Sequence, residues 1–150
     1  MAKGEFVGLV DNDDTITPNA LYEVVNCINK YPEAEFMYSD EDKIDENGNR
    51  YDAYFKPDFA IDTLRAQNYI CHFSVFKKEL MDRLGGFRSD YDGAQDYDIF
   101  LRMSEAVDPK NIKHIPRILY HWRVHSESTA KLNSNAKNYA FEAGKKAIED

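Results

Sequence analysis

The apolar run over residues 6–10, bounded by Gly4 and by the acids that follow it, predicts a short, fully buried strand that delivers Asp11 to its end. Thr17 followed by Pro18 predicts a helix start, because a threonine hydroxyl accepts from orphan amides and proline tolerates the first helical position. Leu21, Val24, Val25 and Ile28 then recur at helical spacing, and the helix is expected to stop near Lys30, before Pro32. Residues 35–39 predict a second strand and residues 40–51 an acidic loop, with Asn47-Gly48 as its turn. A strand, a helix and a strand in that order predict a parallel pair joined by a crossover helix, and therefore an α/β fold.

The second half alternates faster. Residues 59–67 predict a short helix capped at Asp58, residues 72–76 a strand, and residues 78–84 a helix closed by Gly85-Gly86. After a polar loop over 88–93, residues 94–106 return to the helical period with Ala94, Tyr97, Phe100 and Leu101 turned to a core, until Asp108-Pro109 breaks it. Residues 112–115 and 118–124 predict two strands on either side of Pro116, and residues 135–148 a last helix with a thin apolar stripe. There is no internal repeat.

Composition narrows the class. At 150 residues the chain has the length of one domain, and 43% apolar with 13% aromatic side chains is too much apolar area for a disordered acidic chain. A net charge of −8 points away from a nucleic-acid partner held by charge neutralisation. No apolar run approaches the roughly 18 residues of a membrane span, so this chain is expected to carry no transmembrane segment and to be cytoplasmic. Cys27 and Cys71, far apart in sequence, are expected to be buried free thiols without chemistry.

The acids at Asp11-Asn12-Asp13-Asp14 change the picture most, because carboxylates bunched at a strand end repel one another unless a cation or solvent separates them. An EF-hand does not fit: Ile16 stands at the position that demands glycine and Tyr22 at that of the bidentate glutamate. Two readings stay open from spacing alone, a divalent-cation site and a solvated helix-entry loop whose acids face the positive helix end.

Asp11-Asn12-Asp13 after a predicted strand resembles the Asp-X-Asp motif of family-two glycosyltransferases of the GT-A fold. Tyr38-Ser39-Asp40-Glu41-Asp42, Phe55-Lys56-Pro57-Asp58, Asn68-Tyr69-Ile70, Gln95-Asp96-Tyr97-Asp98 and Tyr120-His121-Trp122-Arg123-Val124-His125 resemble, in order, further blocks of the bacterial polysaccharide and rhamnosyltransferase-like members. The resemblance covers about residues 4–130, with 131–150 a C-terminal helix. It implies part of a GT-A fold, a mixed sheet flanked by helices, with the N-terminal nucleotide-binding half absent from these 150 residues. The isolated chain is accordingly expected to turn over little or no donor.

By the same resemblance the chain is part of an inverting enzyme that moves a sugar from a nucleotide-sugar donor to a glycan or lipid-linked acceptor in bacterial surface polysaccharide synthesis, at the inner face of the membrane. Mn²⁺ or Mg²⁺ is implied as cofactor, held by Asp11, Asp13 and His125, a mixed oxygen and nitrogen donor set suited to such ions. Asp96 is implied as catalytic base, with Gln95 standing where the family often has Glu. Asp40, Glu41 and Asp42 match a sugar-binding stretch, Trp122 a stacking surface and Arg123 a phosphate contact. Each has a plainer reading: a solvated acidic loop, a core tryptophan, a surface arginine. His114 and His121 read as structural, and Asp98 as the partner of Arg102 one helical turn on. The rival function is a non-catalytic carbohydrate- or metal-binding module, which would need Asp11 and Asp13 but not Asp96.

Overall fold

The computed structural model describes residues 2–124 and 134–150. In chain order the elements are β1 (Phe6–Leu9), β2 (Thr15–Ile16), α1 (Ala20–Lys30), β3 (Phe36–Ile44), β4 (Arg50–Tyr54), α2 (Ile61–Ala66), β5 (Ser74–Lys77), α3 (Lys78–Arg83), α4 (Gln95–Ala106), β6 (Ile112–Arg123) and α5 (Ser134–Glu149). The strands form one mixed six-stranded sheet in the order β1-β5-β3-β6-β2, with β4 paired to β3. This is the α/β arrangement expected, with the parallel pair in a different place. β3 runs parallel to β6, from Phe36 opposite Ile112 to Ile44 opposite Arg123, whereas β1 lies antiparallel to β5 at the end of the order and does not pair with β3. β1 is accordingly half-buried instead of fully buried.

The two-residue period of the strands builds two cores. Phe36, Tyr38 and Phe76 point to one face, where α4 supplies Tyr97, Phe100 and Met103, and Phe36 stacks on Phe100 at 5.4 Å between ring centroids. Met37, Val75 and Ile115 point to the other face, where α1 supplies Ala20, Val24 and Cys27. Burying side chains of this size is worth roughly 1.5–3 kcal/mol each, which is why the strand pattern dominates the architecture.

Several local expectations are corrected by this packing. α1 starts at Ala20 with Asn19 at its cap position, after a turn in which the Thr17 carbonyl accepts from the Ala20 amide. Leu21 and Val25 stay exposed, because the face of α1 that meets the sheet runs through Ala20, Val24 and Cys27. α2 is preceded by Ala60 in extended conformation, and Asp58 does not cap it. Residues 40–44 are strand and not loop, and Asp45 holds the turn that follows by accepting from the Asn47 and Asn49 amides. The two strands predicted around Pro116 are one, with a register shift opposite Ser39–Asp40 that absorbs the proline's missing donor. α3 and its closure at Gly85 and Gly86 are as predicted, with φ of +77° and +76° at those two residues.

One ion cluster ties α4 to the loop before it. Asp98, 1% exposed, accepts from Arg102 at 2.6 Å and is paired with Arg88. Burial pushes its carboxyl up, but the hydrogen bonds from both guanidiniums outweigh burial and hold it below the ordinary carboxylate value. Asp98 therefore binds its proton more weakly when folded. Its contribution is complete above the unfolded pKa of about 3.9 and is lost as pH falls through the lowered folded value. Urea denaturation of wild-type and Asp98→Asn chains should give a stability difference that shrinks as pH falls below about 4; a difference independent of pH would contradict the ion-pair account.

Candidate active site

The site grows from the ladder between β1 and β5. Leu9 is opposite Ser74 in antiparallel register, so continuing two residues along each chain brings Asp11 beside His72, and their Oδ2 and Nε2 atoms lie 3.9 Å apart. β2 then pairs with β6, Ile16 opposite Tyr120, which brings the preceding residue Asp14 back to the same place. There the Tyr120 hydroxyl donates to Asp14 Oδ2, the Arg123 amide donates to Asp14 Oδ1 at 2.7 Å, and the Asp11 amide donates to the Tyr120 oxygen at 3.2 Å. Burial raises the Asp14 carboxyl above its ordinary value, partly offset by those bonds from Tyr120 and Arg123.

Asp11, Asp14 and His72 each offer a ligand atom, and the three atoms lie within 4.8 Å of one another. Donors bound about 2.1 Å from a small divalent cation stand roughly 3–4 Å apart, so modest side-chain rotation would fit this group to Mn²⁺ or Mg²⁺. Among the described residues this group offers two carboxylates and one imidazole, and it shares Asp11 with the set expected from the sequence. Asp13 is exposed and is not part of this group; its backbone carbonyl accepts from Arg123 Nε at 2.7 Å. His125 lies outside the described residues.

Asp11 and His72 line a cleft of about 850 Å³ that Gln95, Asp96 and Trp122 also line. Asp96 sits in the first turn of α4. Its Oδ2 accepts from Asn68 Nδ2 at 2.9 Å and its Oδ1 from the Tyr97 amide at 2.8 Å, two bonds that fix the carboxylate while leaving lone pairs free. Gln95 Oε1 accepts from the Gly93 amide at 2.9 Å, so this side chain shapes the cleft wall. Trp122 packs against the core of the α1 face and lines both this cleft and a smaller one of about 280 Å³ beside Glu41 and Tyr54.

The central acids Asp40, Glu41 and Asp42 sit in β3, and Glu41 and Asp42 line the smaller cleft. Asp40 is 2% and Asp42 4% exposed. Asp40 accepts from His114 Nε2 at 2.8 Å and from the Lys56 amide at 2.9 Å, while Asp42 is paired with His121 and with Arg50 at 2.7 Å. These bonds account for His114 and His121 as structural residues. Glu41 accepts from Lys56 Nζ at 3.0 Å and from the His72 amide at 3.1 Å. Lys56, whose side chain is wholly buried, also donates to the carbonyls of Ile70, at 2.6 Å, and His72. One ammonium thus anchors the segment that presents His72. Cys71 in that segment is part-buried instead of buried, and burial, then the Glu41 charge, push its thiol up to about 12. Cys27 is buried and free, as expected.

His72, Asp14 and Asn68 are the residues whose roles escape sequence reasoning. His72 is 61 residues from Asp11 (72 − 11), and only the strand register brings them together. Asp14 was visible in the acidic run, but nothing in the run says which acids turn inward. Asn68 lies in a block quoted for the resemblance, with no signal of its partner.

No family model matches the chain. It is 47% identical over its whole length to an uncharacterized protein, y4gI, of Sinorhizobium fredii, of which it covers 16%. It is 39% identical over 99% of its length to the O-antigen biosynthesis protein RfbC of Myxococcus xanthus, covering 11% of that protein, and 29% identical over 93% to a chondroitin synthase of Escherichia coli, covering 20%. The chain thus spans a fifth or less of these relatives. Among solved structures, the residue 1–349 portion of Staphylococcus aureus TarS, crystallised with UDP-GlcNAc, superposes with a TM-score of 0.63 at 15% identity, over 95% of this chain and 41% of that one.

Proposed function

We propose that the chain is part of a GT-A-like glycosyltransferase and supplies the cation and base portion of a site that transfers a sugar, with inversion, from a nucleotide-sugar donor to a glycan or lipid-linked acceptor in polysaccharide synthesis. The observation that carries this reading is the grouping of Asp11, Asp14 and His72, of which Asp11 and His72 line the same cleft as Asp96. The likeness to TarS in complex with UDP-GlcNAc supports a nucleotide-sugar donor, and the likeness to RfbC and chondroitin synthase supports a polysaccharide product.

Mn²⁺ or Mg²⁺, held by Asp11, Asp14 and His72, would stabilise the charge on the departing nucleoside diphosphate. Asp96 takes the proton of the acceptor hydroxyl as its oxygen forms the bond to the anomeric carbon, while the bond from that carbon to the diphosphate breaks and its electrons leave with the diphosphate. The Asn68 side-chain amide donates to Oδ2 and so aims the base without blocking its remaining lone pairs. Trp122, which also lines the cleft, offers an apolar ring to a sugar.

Calorimetric titration of Mn²⁺ with UDP into a full-length polypeptide that carries this chain tests the cation assignment. Asp14→Ala should weaken binding by more than about tenfold, whereas Asp13→Ala should retain it. Loss in Asp13→Ala with retention in Asp14→Ala would overturn the ligand set, and binding that is equal with and without metal would overturn the cation itself.

A further inference from the structure

Tyr120 touches every member of the Asp11, Asp14 and His72 group. Its hydroxyl accepts from the Asp11 amide at 3.2 Å and donates to Asp14, and its ring stacks on the His72 imidazole with centroids 4.7 Å apart and planes 19° apart. The residue is 0% exposed, held in β6 between β3 and β2, where Glu41 and Ile16 are its register partners. The groups it contacts come from two segments far apart in the sequence: the turn 11–14 between β1 and β2, and the stretch before β5.

We propose that Tyr120 is a positioning residue that holds Asp11, Asp14 and His72 as one unit, and so sets the geometry of the cation site; the cation part of this inference rests on the function proposed above. The hydroxyl has one proton and two lone pairs. Spending the proton on Asp14 and a lone pair on the Asp11 amide fixes the turn 11–14 at both ends with a single atom. Two carboxylates brought this close repel, and a neutral donor bonded to one of them lowers that cost without adding a charge that would compete with a cation. The flat ring, pressed on the imidazole, fixes the plane of His72 and hence the direction of its ring nitrogens.

Tyr120→Phe keeps the stack and removes the hydroxyl, so it separates the two contributions; Tyr120→Leu removes both. Tyr38→Phe is the control, because Tyr38 is equally buried and donates to the Pro57 carbonyl at 2.7 Å, away from the cleft. In calorimetric titration of the 150-residue chain with Mn²⁺, Tyr120→Phe should weaken binding by about 10–100-fold and Tyr120→Leu by more, with Tyr38→Phe binding as wild type does. A second readout needs no metal: amide hydrogen exchange at Asp11 should accelerate in Tyr120→Phe and not in Tyr38→Phe. Wild-type affinity and wild-type Asp11 exchange in Tyr120→Phe overturn the proposal, as does an equal loss of affinity in Tyr38→Phe. A wild-type chain that binds no Mn²⁺, with accelerated Asp11 exchange in Tyr120→Phe, overturns the cation reading and supports the positioning role.

Discussion

Asp96→Asn, in a full-length polypeptide that carries this chain and transfers sugar, is expected to lower the turnover rate by about 10²–10⁴-fold with donor and metal affinity nearly unchanged. The asparagine has the same shape and can still accept from Asn68, but it cannot take a proton from an acceptor hydroxyl. The plainer role of Asp96, an acid in the first turn of α4, is worth only about 0.3–1 kcal/mol, so the substitution should barely move the melting temperature. A single-turnover assay alongside thermal unfolding therefore separates chemistry from folding. Transfer that survives the substitution would remove Asp96 as the base. Transfer lost together with donor binding would point instead to the carbohydrate- or metal-binding module, in which Asp96 shapes a ligand surface.

The second large effect is on stability. Lys56→Met should cost about 3–5 kcal/mol in urea denaturation, a large share of the roughly 5–15 kcal/mol that hold a domain of this size. The ammonium is wholly buried, and its removal leaves the Glu41 carboxylate, 13% exposed, without its counter-charge and the carbonyls of Ile70 and His72 without a donor. Methionine fills most of the volume, so the loss measures the bonds and not a cavity. A cost below about 1 kcal/mol would mean that water or a rearranged segment 70–72 satisfies those groups, and that His72 is held by something other than Lys56.

The prediction for Lys56 shows where sequence reasoning stops. Phe55-Lys56-Pro57-Asp58 stood out as a block of the resemblance, yet a lysine between an aromatic residue and a proline reads locally as a surface charge. It is buried because three acceptors from two other segments converge on it. The same holds for Asp40 and Asp42. Local polarity predicts a loop there, and the structure makes a strand, because His114, His121, Arg50 and the Lys56 amide satisfy the two carboxylates.

By itself the sequence determined the helical segments α1, α3 and α4, the glycine closure at Gly85-Gly86, the α/β class, and, through the ordered blocks, kinship with glycosyltransferases and the two stretches that carry Asp11 and Asp96. Those features depend on residues a turn or two apart, or on motif order, and both are written along the chain. Tertiary structure alone decided that β3 pairs in parallel with β6 and not with β1, and that Asp14 and His72 come together with Asp11. Each of these follows from which strand edges meet and in what register, and register is set by the fit of whole faces against two cores, a property no local window contains.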